Sequence, residues 1–370
     1  MLSLCATGSS MSFRVAREIL KAKGLSRGTE RELKSNWECR GRMGEALERL
    51  LGSEEPSVRL RARLEILGEG PDSKPIGELR DEVRRSQRVR LLLSEREGGA
   101  IPVHPYSKWF GAHWVMATLA DLGYPRGDRS LIPLREQVYE WLFSESHMKY
   151  VKKHEVYAGP YMEVRGLMRA HASMEGNAIY YLHALGLADD RTTALVERLL
   201  EWQWPDGGWN CDKRSRAHTS SFTESLLPMR GLAFHAAARG GEAKGAVRRA
   251  GEYFLERRLF KRKRDGSTIS PRFVRLHYPC YWHYDILFGL KVMREAGLLG
   301  DRRCDDAIAL LESKRLVDWG FPAEEAYYQV TRRKVSRRSI VGWDGVSRRR
   351  MNEFVTCDAL SVLKARSRKV

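Results

Sequence analysis

No run in the chain approaches the eighteen or so consecutive apolar residues that a membrane-spanning helix requires, so no span is expected. No long apolar stretch follows basic residues near the start, so no secretory leader is expected either. Cysteine is scarce. Six cysteines lie scattered at positions 5, 39, 211, 280, 304 and 357, with no CxxC pair. This excludes a disulfide-dense scaffold and predicts reduced thiols in a cytoplasmic protein. Signature motifs are missing as well: no phosphate-loop sequence, no GxSxG, no HExxH, no Cys2His2 spacing and no RNP-like segment. Acid is short relative to base, with 47 Asp and Glu against 65 Lys and Arg, a net charge of +18. That excess predicts an anionic partner: nucleic acid, a phosphorylated metabolite or an anionic membrane surface.

What is present is apolar periodicity. Hydrophobic residues make up 42% of the 370, enough for a substantial core. Residues 1–11 read as a disordered N-terminus. Residues 12–98 read as a helical, HEAT-like N-terminal extension, with Leu47, Leu50, Leu51, Val58, Leu60, Leu64 and Ile66 at roughly helical spacing. The Gly- and Pro-rich stretch 96–105 reads as a linker. From residue 99 to 370 the chain repeats loosely. KWFGAHWVMATLADLGY (108–124), HASMEGNAIYYLHALGL (171–187), HTSSFTESLLPMRGL (218–232), YPCYWHYDILFGLKVMREAGL (278–298) and NEFVTCDALSVLKA (352–365) each run into an apolar helix. A two-faced helix usually follows, then a loop. Units of about fifty residues with an all-apolar first helix and an amphipathic second predict an all-α fold of helical hairpins. A closed ring, an α/α toroid, satisfies both patterns, and an open solenoid is the competitor.

The loop WQWPDGGWNCD (202–212) resembles the Gln-Trp loop of squalene and oxidosqualene cyclases and of protein prenyltransferase β subunits, and DWGFPAE (318–324) looks like a degenerate copy. The resemblance covers roughly residues 100–365 and implies the α/α toroid. Ala217-His218 after the loop, and RFVRLHYPCY with Arg272, Arg275, Cys280 and Tyr281, resemble the prenyltransferase diphosphate and zinc motifs. The resemblance implies that His218, Arg272, Arg275 and Tyr281 hold a prenyl diphosphate. Tyr278 stands where the family has a zinc-binding Asp, and Val355 where it has a zinc-binding His.

Arginine suits such a role because its planar fork contacts phosphate bidentately. An isoprenoid tail needs apolar walls, and Trp114, Tyr180, Tyr181, Phe222, Trp282 and Tyr284 lie on or beside the expected inner helices. His277, Cys280 and His283 offer a donor set for metal, with zinc or magnesium as candidate cofactors and neither required by the sequence. Four acids recur near the starts of the apolar helices: Glu175, Glu224, Asp285 and Asp358. Converging carboxylates could perform acid/base catalysis. The leading expectation is a terpenoid-cyclase- or prenyltransferase-like protein binding an isoprenoid or other apolar ligand, as such or as its diphosphate. A carbohydrate-active (α/α) barrel hydrolase or lyase is one alternative. The other is a non-catalytic module binding nucleic acid or protein through the basic stretches 257–267 and 331–350.

Overall fold

The computed structural model describes residues 44–148 and 162–367. The expected disordered residues 1–11 lie outside that range. Residues from Arg49 onward form one compact unit, and it is mostly helical, as the periodicity implies. Among the described residues, strand is limited to two short pairs, Met162–Val164 with Leu167–Arg169 and Gln329–Val330 with Arg338–Ser339. Among the described residues no helix is long and apolar enough to cross a membrane.

The unit is built from helical hairpins. The leading helices are α1 (Pro56–Arg61, continuing as a π-helical turn Ala62–Leu67), α4 (Ala112–Asp121), α7 (Ser173–Ala184), α9 (Phe222–Arg239), α11 (Ile286–Glu295) and α13 (Glu353–Ser367). The trailing helices are α2 (Lys74–Arg85), α5 (Ile132–Leu142), α8 (Asp190–Glu201), α10 (Ala243–Leu255) and α12 (Asp305–Glu312). Two further short helices, α3 (Gln87–Leu93) and α6 (Glu145–Met148), follow α2 and α5. Each trailing helix packs on the leading helix before it. The leading helices bury nearly every face, whereas α8 and α10 bury one stripe, as the sequence patterns require.

The leading helices are also neighbours of one another: α4 with α7, α7 with α9, α9 with α11, α11 with α13, and α13 with α1 and its π-helical turn. Leu60 of α1 lies against Gly123, just past α4. The closest approach is between α7 and α9. A Cβ on Gly176 would sit 2.2 Å from the Pro228 nitrogen, and one on Gly231 would sit 2.2 Å from the Gly176 oxygen. Only glycine permits backbones to meet this closely.

Contacts run across the boundary expected near residue 98. Arg61 pairs with Asp358, Glu65 with Arg294 at 2.6 Å, and Ser53 hydrogen-bonds Glu353 at 2.5 Å. The stretch 96–105, expected as a linker, therefore connects parts of one compact unit.

Candidate functional site

The four recurring acids all meet a basic group or an N–H donor. In the first turn of α7, Glu175 accepts from His147 at 3.3 Å and from Arg198 at 3.2 Å. In the first turn of α9, Glu224 takes the His171 Nδ1 at 3.0 Å on one oxygen and the Ser173 N–H at 3.1 Å on the other. Asp285 caps α11 by accepting from the Phe288 N–H at 2.7 Å. Its second oxygen takes the His277 N–H at 2.9 Å and the His277 Nδ1 at 2.7 Å. Asp358 pairs with Arg61 and, at 3.0 Å, with Lys291.

The environments fix the charges. Burial works against ionisation of Glu224, but the His171 and Ser173 hydrogen bonds outweigh it and hold the carboxylate below its usual range. His171, hydrogen-bonded to Cys211 and Glu224, has its pKa raised to about 10. Burial opposes a charge on His277, yet the Asp285 carboxylate overcomes that and holds its pKa above the ordinary value.

Asp358 belongs to a second, deeper cluster. Arg230 bonds Glu295 at 2.8 Å and Asp121 at 2.9 Å, and its guanidinium lies 3.5 Å above the Tyr180 ring. Tyr180 donates to Asp121 at 2.8 Å. Together with Lys291, Arg61, Glu65 and Arg294, these side chains make a buried ion network beside a cavity of about 320 Å³.

The aromatics expected to line a ligand cavity are mostly packed core. Tyr181 bonds His113 at 3.1 Å, and the Trp114 indole donates to the Tyr106 carbonyl. Tyr284 donates to the Leu259 carbonyl at 2.6 Å and packs edge-on to Phe222. Trp282 stacks on His283. The expected diphosphate set is not drawn together by any hydrogen bond or ion pair among the described residues. His218 is exposed and donates to the Arg216 carbonyl. Arg272 is exposed, and Arg275 lies 4.0 Å from Glu325. Tyr281 stacks on Trp109 with ring centroids 4.1 Å apart. The expected metal set does not converge either. The Cys280 thiol points to the His277 carbonyl, His277 is engaged by Asp285, and His283 is sandwiched between Trp282 and Tyr327. Burial also pushes the Cys280 thiol pKa up, which disfavours the thiolate a metal needs.

Sequence reasoning missed two features. The first is a groove of about 470 Å³ floored by Phe222, Tyr253 and Phe273 and edged by Arg257, Arg262, Lys263 and Arg264. It opens beside the amino end of α9, whose N-cap Ser221 makes no side-chain capping bond to the first turn. The basic run 257–267 was visible in the sequence, but the aromatic floor comes from three separate segments. The second is the convergence of His171, Cys211 and Glu224. The available signal was the repeat alignment, which places His171 at the same point as His218. No protein-family model matches this chain, and comparison with curated proteins and with solved structures gives no match.

Proposed function

We propose that the neighbouring leading helices form a closed α/α toroid and that the protein binds an isoprenoid or similar apolar ligand bearing an anionic end, as its diphosphate. The order of contacts supports the ring: α4, α7, α9, α11 and α13 each adjoin the next, α13 packs on α1, and Leu60 of α1 lies against Gly123, just past α4. The first hairpin of that ring is α1–α2.

The groove beside α9 carries the ligand reading. Its aromatic floor suits an isoprenoid chain. Four Arg and Lys residues along its edge, together with the positive end of the helix dipole, suit a diphosphate. Phe222, expected from the sequence as a ligand-contacting aromatic, forms part of the floor. Arg272, expected as a phosphate contact, adjoins Phe273 in the chain. The ligand is placed in this groove rather than among the leading helices because the ion network fills their deeper turns.

Thermal unfolding with farnesyl and geranylgeranyl diphosphate tests this, with pyrophosphate and farnesol as controls. Ligand at about a hundred times its dissociation constant adds roughly 2.7 kcal/mol, a rise of several degrees for a chain of this size. The rise is expected only with the prenyl diphosphates, and it should disappear in a Lys263→Ala, Arg264→Ala double variant. An equal rise with pyrophosphate alone, or none, rejects the reading.

A further inference from the structure

We propose that His171, Cys211 and Glu224 bind one transition-metal ion, zinc by donor chemistry, with a coordination position open to solvent. One nitrogen, one sulfur and one oxygen donor lie within 4.8 Å of one another. That figure decides between the two chemistries this residue set allows. In a thiol–imidazole–carboxylate relay, the sulfur and the carboxylate sit on opposite edges of the ring, and two hydrogen bonds plus the ring width separate them by roughly 7 Å. Here the sulfur and the carboxylate oxygen are far closer than that. The three donor atoms lie close enough to one another to share one ion.

The surrounding backbone holds them there. Arg169 and Asn210 form a parallel bridge, and the Ala170 N–H donates to the Asn210 carbonyl at 3.0 Å. His171, next after Ala170, and Cys211, next after Asn210, are thereby brought near one another. The third donor arrives on the first turn of α9, which is tied to the same loop. The Trp209 N–H donates to Ser225 Oγ at 2.9 Å, and Ser225 Oγ donates back to the Trp209 carbonyl at 3.2 Å. The Ser173 N–H holds one Glu224 oxygen and leaves the other directed at His171. This is the outer support that orients a ligand carboxylate.

Mixed imidazole, thiolate and carboxylate donors suit zinc and its neighbours and not magnesium, which takes oxygen ligands. Three protein ligands leave a fourth tetrahedral position. Cys211 is half-buried and the His171 side chain is 40% exposed, so that position faces solvent. A zinc ion so held polarises a bound water or substrate oxygen.

The test uses the full chain, freed of metal with a chelator and titrated with Co²⁺ and then Zn²⁺. One equivalent of Co²⁺ should give visible tetrahedral bands and a near-ultraviolet thiolate charge-transfer band, and Zn²⁺ should displace it. Cys211→Ser should abolish the charge-transfer band, and Glu224→Gln should weaken Zn²⁺ binding about tenfold or more. Cys280→Ser should leave both signals unchanged. The proposal is overturned if the wild-type chain shows no charge-transfer band, if the band survives Cys211→Ser, or if it is lost in Cys280→Ser.

Discussion

The acids of the leading helices fall into two environments. In the first turns of α7 and α9 and at the cap of α11, Glu175, Glu224 and Asp285 meet His147, His171 and His277. Further along the helices, Asp121, Glu295 and Asp358 meet Arg230, Lys291 and Arg61. Histidine changes charge near neutrality, whereas arginine and lysine do not. One end of the helical array thus pairs its acids with imidazoles. The deeper cluster carries charge that is fixed across the physiological range. Acids of one helical array have been put to two uses, and the partner decides which.

Breaking the deeper cluster should have the largest effect. Asp358→Ala leaves the Arg61 and Lys291 charges buried without their partner and is expected to cost about 3–5 kcal/mol in urea denaturation. Replacing Arg61 and Asp358 together by apolar residues should recover most of that loss. If the single variant is no less stable than wild type, the cluster is not the fixed-charge element described here.

Acidification separates the two environments next. His113 is fully buried, and burial, reinforced by His147, lowers its pKa to about 3. Neutral, it accepts from the Asn177 amide and bonds the Tyr181 hydroxyl. The unfolded chain takes up this proton near pH 6.5, while the folded chain resists until about pH 3. Stability is therefore intact above pH 6.5 and is lost progressively below it, by about 2 kcal/mol at pH 5. His277 runs the opposite way: its contribution is present below pH 6.5 and fades as pH rises through its raised folded value. Asp121 is held at about 2 because Arg230 and Lys291 outweigh the cost of its burial, so it keeps its charge throughout this range. Denaturation from pH 7 to pH 5 should show the loss in wild type and a flatter profile in His113→Asn. An unchanged slope would remove His113 as its source.

The smallest effect isolates burial as the variable. Lys74 and Glu78 form an exposed pair four residues apart on α2. Lys74→Ala should change stability by no more than about 0.5 kcal/mol. A larger loss would mean that pairing itself, and not removal from water, sets the strength of these contacts.

The hairpins from α4 onward were legible in the sequence because complete burial leaves a compositional mark. A helix surrounded by protein is apolar on every side, and α4, α7 and α11 are. The hairpin α1–α2 was less legible. α1 is one short helix with a π-helical turn, and it carries Arg61 and Glu65 into the ion network, so its charges read as surface. The acids at the starts of α7, α9 and α11 were visible as a recurrence. Their histidine partners were not, because His147, His171 and His277 come from segments with no shared spacing to the acids they meet. Cys211 gave a similar problem: its neighbours in space are joined by a two-residue bridge that leaves no periodic trace.

Pro228 gives α9 a joint. Proline has no N–H, so the Glu224 carbonyl, four residues earlier, lacks its helical donor. The turn from Phe222 to Leu227 is thereby joined to the rest of α9 by one helical hydrogen bond fewer, beside the Gly176 backbone that presses on Pro228. What steers that turn is the 204–210 loop, through Trp209 and Ser225. A shift of that loop would reach Glu224 through Ser225, its neighbour in the same turn.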